Sequence, residues 1–290
     1  MPSPSFEFPK VTDLLAQEGF RPVKGRDQHF LRGRGPTRQI AEISELTPRH
    51  RVVEIGAGLG NLSAELALRA GAVTAVEKDT TFSGWHERLT AQLPNLTIHY
   101  ADFLKVDIEE VVPREPVDGP IVAIGNLPYQ ITAPILFKLV DSPVAWERIV
   151  VMVQLEVAER IAAGPATRRS SALTYKLAFE YDAHIAMRLG PTEFIPPPRV
   201  DSAVVVLTPR AVPLLRDHAH KVRLHALVHG VFQHRRRTLP NAMKLGGCTP
   251  TRDVAEAAVA AAGLDLKARP ETLTLEDFIR LDEALAGGRA

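Results

Sequence analysis

The strongest constraint on this chain is a rhythm of short apolar runs. Arg51–Ile55, Val73–Glu77, Thr97–Ala101, Pro120–Ile124 and Arg148–Val153 read as strands, each followed by a helix or by a loop leading to one. Near-continuous apolar runs suit strands covered on both faces. Their alternation with helices predicts βαβ units, hence an α/β fold around a parallel sheet with helices on both faces. His184–Leu189 and Ala203–Leu207, separated by Phe194-Ile195-Pro196-Pro197-Pro198, read as a final antiparallel pair closing that sheet.

The rhythm stops at Thr208-Pro209-Arg210-Ala211-Val212-Pro213, a linker by its prolines. Beyond it, Leu224, Leu227, Val228, Val231 and Phe232, and then Val254, Ala258, Ala261 and Ala262, recur at helical spacing. Ahead of it, the opening stretch is polar, basic and broken by prolines and glycines, with a short helix near Thr12–Gln17. A further helix is expected from Thr37, as its N-cap, to Glu45. The expected organisation is a basic arm over residues 1–35, an α/β domain over 36–210 and a helical domain over 211–290. A chain of 290 residues can bury two such cores.

Charge separates the functional classes. The net charge is +1, but residues 21–38 carry six basic side chains against Asp27, and residues 210–250 carry eight against Asp217. Segregated positive charge attracts phosphate backbones. Arg235-Arg236-Arg237 is the densest basic run and the expected RNA contact. The single cysteine, Cys248, forms no intrachain disulfide, which suits a reducing compartment. No secretory signal is read at the N-terminus, and no apolar run approaches the ~20 residues of a membrane helix. A cytoplasmic protein without membrane partners is expected. The histidines from His218 to His234 include an i,i+4 pair, but no carboxylate or cysteine nearby completes a ligand set, so no metal is expected.

Glu54-Ile55-Gly56-Ala57-Gly58-Leu59-Gly60 leaves the first strand and enters a helix. Its glycines permit a tight turn and close backbone approach to a ligand. The dinucleotide fingerprint is Gly-x-Gly-x-x-Gly, and here the third glycine arrives one residue early. Glu77, at the end of the next strand, can accept both ribose hydroxyls, and Asp102, at the end of the third, can accept an adenine amine. Together these fit S-adenosyl-L-methionine better than a nicotinamide cofactor.

Asn126-Leu127-Pro128-Tyr129 ends a predicted strand where open α/β sheets place their sites. The Asn126 side-chain oxygen and the Leu127 carbonyl supply two acceptors for an exocyclic amine. Pro128 restricts Leu127 to extended backbone, and Tyr129 can stack on a base. A base must leave its helical stack to be reached, and Phe194, on a proline-stiffened loop, is the candidate second platform.

These motifs resemble the ribosomal RNA adenine dimethyltransferase family, KsgA (small-subunit) type. The resemblance rests on Gln28-His29-Phe30-Leu31, Val53 through Gly58, Gly125 through Tyr129, Glu156 through Arg160, Phe194 through Ser202 and Arg235 through Leu239. It implies a Rossmann-like methyltransferase domain with a helical C-terminal domain. It also implies conversion of two adjacent adenines in the 3′-terminal hairpin of small-subunit ribosomal RNA, in a pre-30S particle, to N6,N6-dimethyladenine; a monomer is expected. Carried over by motif, His29, Leu31, Gly56, Gly58, Glu77, Asp102 and Asn126 contact the cofactor, and Tyr129 and Phe194 sandwich the base. The chain departs from the pattern at Arg26-Asp27, Leu155, Ser170-Ser171 and Pro240. Competing readings are the sister enzymes that modify one large-subunit adenine, disfavoured by Leu127, and a non-catalytic assembly factor, disfavoured by intact Glu77, Asp102 and Asn126.

Overall fold

The computed structural model describes residues 6–20, 29–114 and 118–287. Residues 21–28, among them Arg26, Asp27 and Gln28 named above, lie outside the described residues. The strands are β1 (Phe30–Leu31), β2 (Arg51–Ile55), β3 (Ala72–Glu77), β4 (Leu96–Tyr100), β5 (Ile121–Asn126), β6 (Trp146–Gln154), β7 (Tyr181–Leu189), β8 (Phe194–Ile195) and β9 (Ser202–Pro209). Seven of them form one sheet in the order β4-β3-β2-β5-β6-β9-β7. Pairing is parallel from β4 through β6, and β9 lies antiparallel to β6. β1 and β8 make a separate two-residue antiparallel ribbon.

Sequence explains the placement of the strands. Central β2 and β5 are almost wholly buried, as their Val/Ile/Ala-rich runs suit, with Glu54 of β2 the buried exception. Edge strand β7 alternates exposed residues with buried or half-buried ones, the period-2 pattern of a sheet face open to water. Gly125 lets β5 lie beside β2, since a Cβ there would stand 2.7 Å from the Ile55 carbonyl oxygen.

By density of contacts the chain divides into two units: residues 1–158 with 184–208, and residues 159–183 with 209–290. In the first unit, the segment expected to be an irregular arm contributes Phe8, Val11, Leu14 and Leu15 to the core, with Phe8 edge-on to Trp85. The helix expected from Thr37 runs from Arg34 to Ile43, with Gly33 at the N-cap. Pro36 is tolerated in its first turn because the N–H it lacks would have had no intrahelical partner. Thr37 is buried and donates its hydroxyl to the Arg34 carbonyl instead of capping.

The second unit packs helices Ala172–Glu180, His218–Gln233, Leu239–Leu245, Arg252–Ala261 and Leu275–Gly287 around Tyr175, Phe179, Leu224, Val231, Met243 and Phe278. The first of these helices lies upstream of the boundary expected at 210. Tyr175 explains why it belongs here: the ring meets Phe278 at 4.9 Å and the hydroxyl donates to the Leu273 carbonyl. Ser171 closes a capping box with Thr174 at its start, and Pro240 sits buried in the first turn of Leu239–Leu245. Two departures from the family pattern therefore have local structural roles.

Candidate active site

Parallel strands end at one edge of the sheet, and the chain reverses direction between β2 and β5. Successive strands run outward from β2 through β3 to β4, whereas β5 lies on its other side. A cavity of about 670 Å³ opens there, at the switch point where such sheets bind ligands. His29, Gly56, Gly58, Glu77, Asp102, Asn126, Leu127, Pro128 and Tyr129 all line it.

One wall is the glycine turn. Gly56, Gly58 and Gly60 all have positive φ, and a Cβ on Gly60 would also strike Leu89 at 2.5 Å. Glu77 ties the turn down: one carboxylate oxygen accepts the Gly58 N–H at 2.8 Å and the other accepts the Asp79 N–H at 2.7 Å. His86, absent from the sequence reading, completes the support. Its Nε2 lies 3.0 Å from the Gly58 carbonyl and its Nδ1 lies 2.7 Å from the Tyr100 hydroxyl. A carbonyl only accepts, so Nε2 carries the proton, and neutral Nδ1 accepts from Tyr100. Burial pushes the His86 pKa down, against the Gly58 hydrogen bond and the Glu77 charge, which favours that neutral form.

Asp102 differs from expectation in its surroundings. Its Oδ2 already accepts from Lys78 at 3.0 Å and its Oδ1 from the Leu104 N–H. The Lys78 hydrogen bond, and then the Leu104 bond, hold its carboxyl below the usual range. Beneath the turn, Glu54 is fully buried and neither of its oxygens has a hydrogen-bond partner among the described residues. Burial pushes its pKa up to about 8, opposed by the nearby Ser63 hydroxyl and assisted by the Glu77 charge.

The other wall is Asn126–Tyr129. Asn126 Nδ2 donates to the His29 carbonyl at 3.1 Å, which commits the amide nitrogen and leaves Oδ1 as the acceptor. The Leu127 N–H donates to the Met152 carbonyl, and the Pro128 carbonyl accepts from Thr132 Oγ1. Tyr129 is half-buried, stacked on His29 at 5.8 Å, with its hydroxyl 2.7 Å from Ser202 Oγ. His29 in turn donates Nδ1–H to the Pro196 carbonyl.

Two expected site residues are not on the cavity wall. Phe194 is fully buried in the core and shows no face to a base, because β8 pairs it with Leu31 across the ribbon. Leu31 is likewise buried, and it is the Leu31 carbonyl that acts, accepting Asn61 Nδ2. In the second unit, Arg235, Arg236 and Arg237 are exposed, with no carboxylate in ion-pairing range among the described residues; Arg235 donates to the Ser170 carbonyl. Among the described residues no histidine, cysteine or carboxylate group forms a metal cluster, and no helix is long and apolar enough to cross a membrane. His220 and His225 are buried, facing Asp282 and Glu180.

Comparison with known proteins matches this arrangement. The family described as "Ribosomal RNA adenine dimethylase" matches residues 24–286. The chain is 37% identical over 279 residues to "Ribosomal RNA small subunit methyltransferase A" of Streptomyces coelicolor, covering 94% of each chain. It is 34% identical to the protein of that name from Lactococcus lactis, covering 95% of this chain and 94% of the other. Among solved structures, the 23S rRNA methyltransferase ErmE superposes with a TM-score of 0.64 at 30% identity, over 89% of this chain and 99% of that one. A Plasmodium falciparum dimethyladenosine transferase shares the fold, with a TM-score of 0.68 at 24% identity over 87% and 96% of the two chains. The fold is the Rossmann-like one of these methyltransferases, and the chain belongs to the ribosomal RNA adenine dimethylase family.

Proposed function

We propose that the protein methylates N6 of two adjacent adenines in the 3′-terminal hairpin of small-subunit ribosomal RNA to N6,N6-dimethyladenine, on a pre-30S particle in the cytoplasm and as a monomer. The carrying observation is that the glycine turn and the Asn126–Tyr129 corner, far apart in sequence, converge on one cavity.

The residues present fit S-adenosylmethionine. Glu77 ends β3 with lone pairs beyond those given to Gly58 and Asp79, for ribose hydroxyls. The positive φ of Gly56, Gly58 and Gly60 disfavours side chains along the turn, which keeps its backbone open to a ligand. Asp102 and Phe103 line the same cavity, for the adenine of the cofactor. When bound, the cofactor supplies an electrophilic methyl group and a neutral thioether leaving group. The protein's part is placement and electrostatics. Asn126 Oδ1 and the Leu127 carbonyl accept the two hydrogens of the target amine, favouring a more tetrahedral nitrogen whose lone pair is less spread into the ring. Tyr129, held by Ser202 and His29, stacks on the base. No strong base is required, because the amine proton becomes acidic once the nitrogen is alkylated.

The test is to incubate the protein with labelled S-adenosylmethionine and unmethylated small or large subunits and to map the label by primer extension. Label on two adjacent small-subunit adenines is expected. The ErmE likeness makes the large subunit the informative alternative, and label only there overturns the proposal. Absence of label on both would leave an assembly factor.

A further inference from the structure

A second recess, of about 340 Å³, lies in the first unit, lined in part by Arg32, Gly33 and Arg34, which directly follow β1. Lys10, Arg32 and Arg34 line it over an apolar floor that includes Phe8 and Val11, and no carboxylate lines it. The cations are not equivalent. Arg34 is offset by Glu65 at 3.1 Å and by Glu7 at 3.9 Å. Lys10 and Arg32 are exposed, and among the described residues no carboxylate stands within ion-pairing distance of either; of the two acids three residues from Lys10, Glu7 faces Arg34 and Asp13 accepts the Thr12 hydroxyl. Gly33 caps the helix Arg34–Ile43 without a side-chain bond, so the first N–H groups of that helix add partial positive charge at the rim. Apolar walls beside two uncompensated cations focus the field on an anion.

Position gives the anion its identity. His29 and Phe30 line the methyl-transfer cavity, and Arg32 lines the recess. Two residues of extended chain span at most about 7 Å. The recess and the cavity thus share one short stretch of backbone, a separation on the scale of neighbouring phosphates in one strand. We propose that Lys10 and Arg32 hold backbone phosphates of the substrate RNA beside the target adenines, setting the register of the strand. This rests on the RNA-methylation reading.

The experiment measures salt dependence of binding to a hairpin RNA with two adjacent loop adenines, for the wild type, K10A/R32A and K10R/R32K. Each phosphate contact to single-stranded RNA contributes about 0.7 to the slope of log K against log salt. K10A/R32A is expected to lower the slope by about 0.7 for each phosphate released, while S-adenosylmethionine affinity by calorimetry and the melting temperature stay at wild-type values. K10R/R32K is expected to keep the wild-type slope. A wild-type slope in K10A/R32A overturns the inference alone, as does equal loss in K10R/R32K. Saturable binding of inorganic phosphate that K10A/R32A abolishes, with its RNA slope unchanged, would mark a free-anion site and also overturn it. A wild type that binds no RNA overturns the methylation reading together with the inference.

Discussion

Along the glycine-turn wall of the cavity, the supports come from inside the fold. Glu77 takes two backbone N–H groups, and His86 bridges Gly58 to Tyr100. Along the base wall, the supports come from a loop and a ribbon. Asn126 leans on the His29 carbonyl, Tyr129 on Ser202 and His29, and the expected opposing aromatic, Phe194, is sealed in the core. The glycine-turn wall, proposed to hold the cofactor, is thus built in advance, whereas the Asn126–Tyr129 wall, proposed to hold the base, offers one aromatic face and two acceptors. On the proposed reading, preorganisation is concentrated on the side assigned to the small, invariant cofactor, and the side assigned to a base on a polymer has fewer fixed contacts.

That contrast can be attacked at both walls. The largest effect is expected from Asn126→Ala, which removes the acceptor and frees the His29 carbonyl. Turnover should fall roughly 10²–10³-fold, the scale for losing one preorganised polar group at a reacting centre, while small-subunit binding persists in a filter assay. Unchanged turnover would remove Asn126 from the mechanism. Next, Tyr129→Ala should cost roughly 1–3 kcal/mol in kcat/KM, the worth of stacking one base. Tyr129→Phe should retain most of that while losing the Ser202 bond. Equal losses in the two variants would mean that the hydroxyl, not the ring, does the positioning.

On the cofactor wall, His86→Leu leaves the Gly58 carbonyl unpartnered, at a cost of about 1–3 kcal/mol for a buried group. This should appear as weaker S-adenosylmethionine binding by calorimetry with RNA affinity retained. Loss of RNA affinity instead would show that the two walls are not separable. The smallest effect concerns Glu54. Its pKa is raised from 4.5 to about 8, so between those values the folded protein keeps a proton that the unfolded chain releases. Stability from this group is therefore lost as pH rises through that window. Glu54→Gln should melt a few degrees above the wild type beyond pH 8 and alongside it at about pH 5. A pH-independent difference would mean that packing, not the buried proton, is what the substitution changes.

Much of this was readable in advance, for physical reasons. Strands β2, β3, β5 and β6 lie within a few residues of the predicted runs because a buried parallel strand favours a largely apolar stretch. The glycine turn and Asn126 were legible because backbone geometry and local order define them. What escaped depends on pairing between distant segments. Lys78 meets Asp102 across β3 and β4, and His86 reaches Gly58 from a helix, neither with a local signature. Phe194 was misplaced for the same reason. An aromatic before prolines looks the same in sequence whether it stands open or lies beneath a strand, and only the β1–β8 pairing decides.

The division of the chain carries a practical consequence for anyone who would cut it. A fragment ending at the Pro209–Pro213 linker would look, by sequence, like a complete catalytic domain. It would retain helix Ala172–Glu180 but lose Leu224, Val231, Leu273 and Phe278, the residues that cover Tyr175 and Phe179. Two large rings and the apolar helix bearing them would then face water, a patch of the kind that drives aggregation. A soluble fragment would need residues 159–183 bridged by a short polar connection as well as the C-terminus removed.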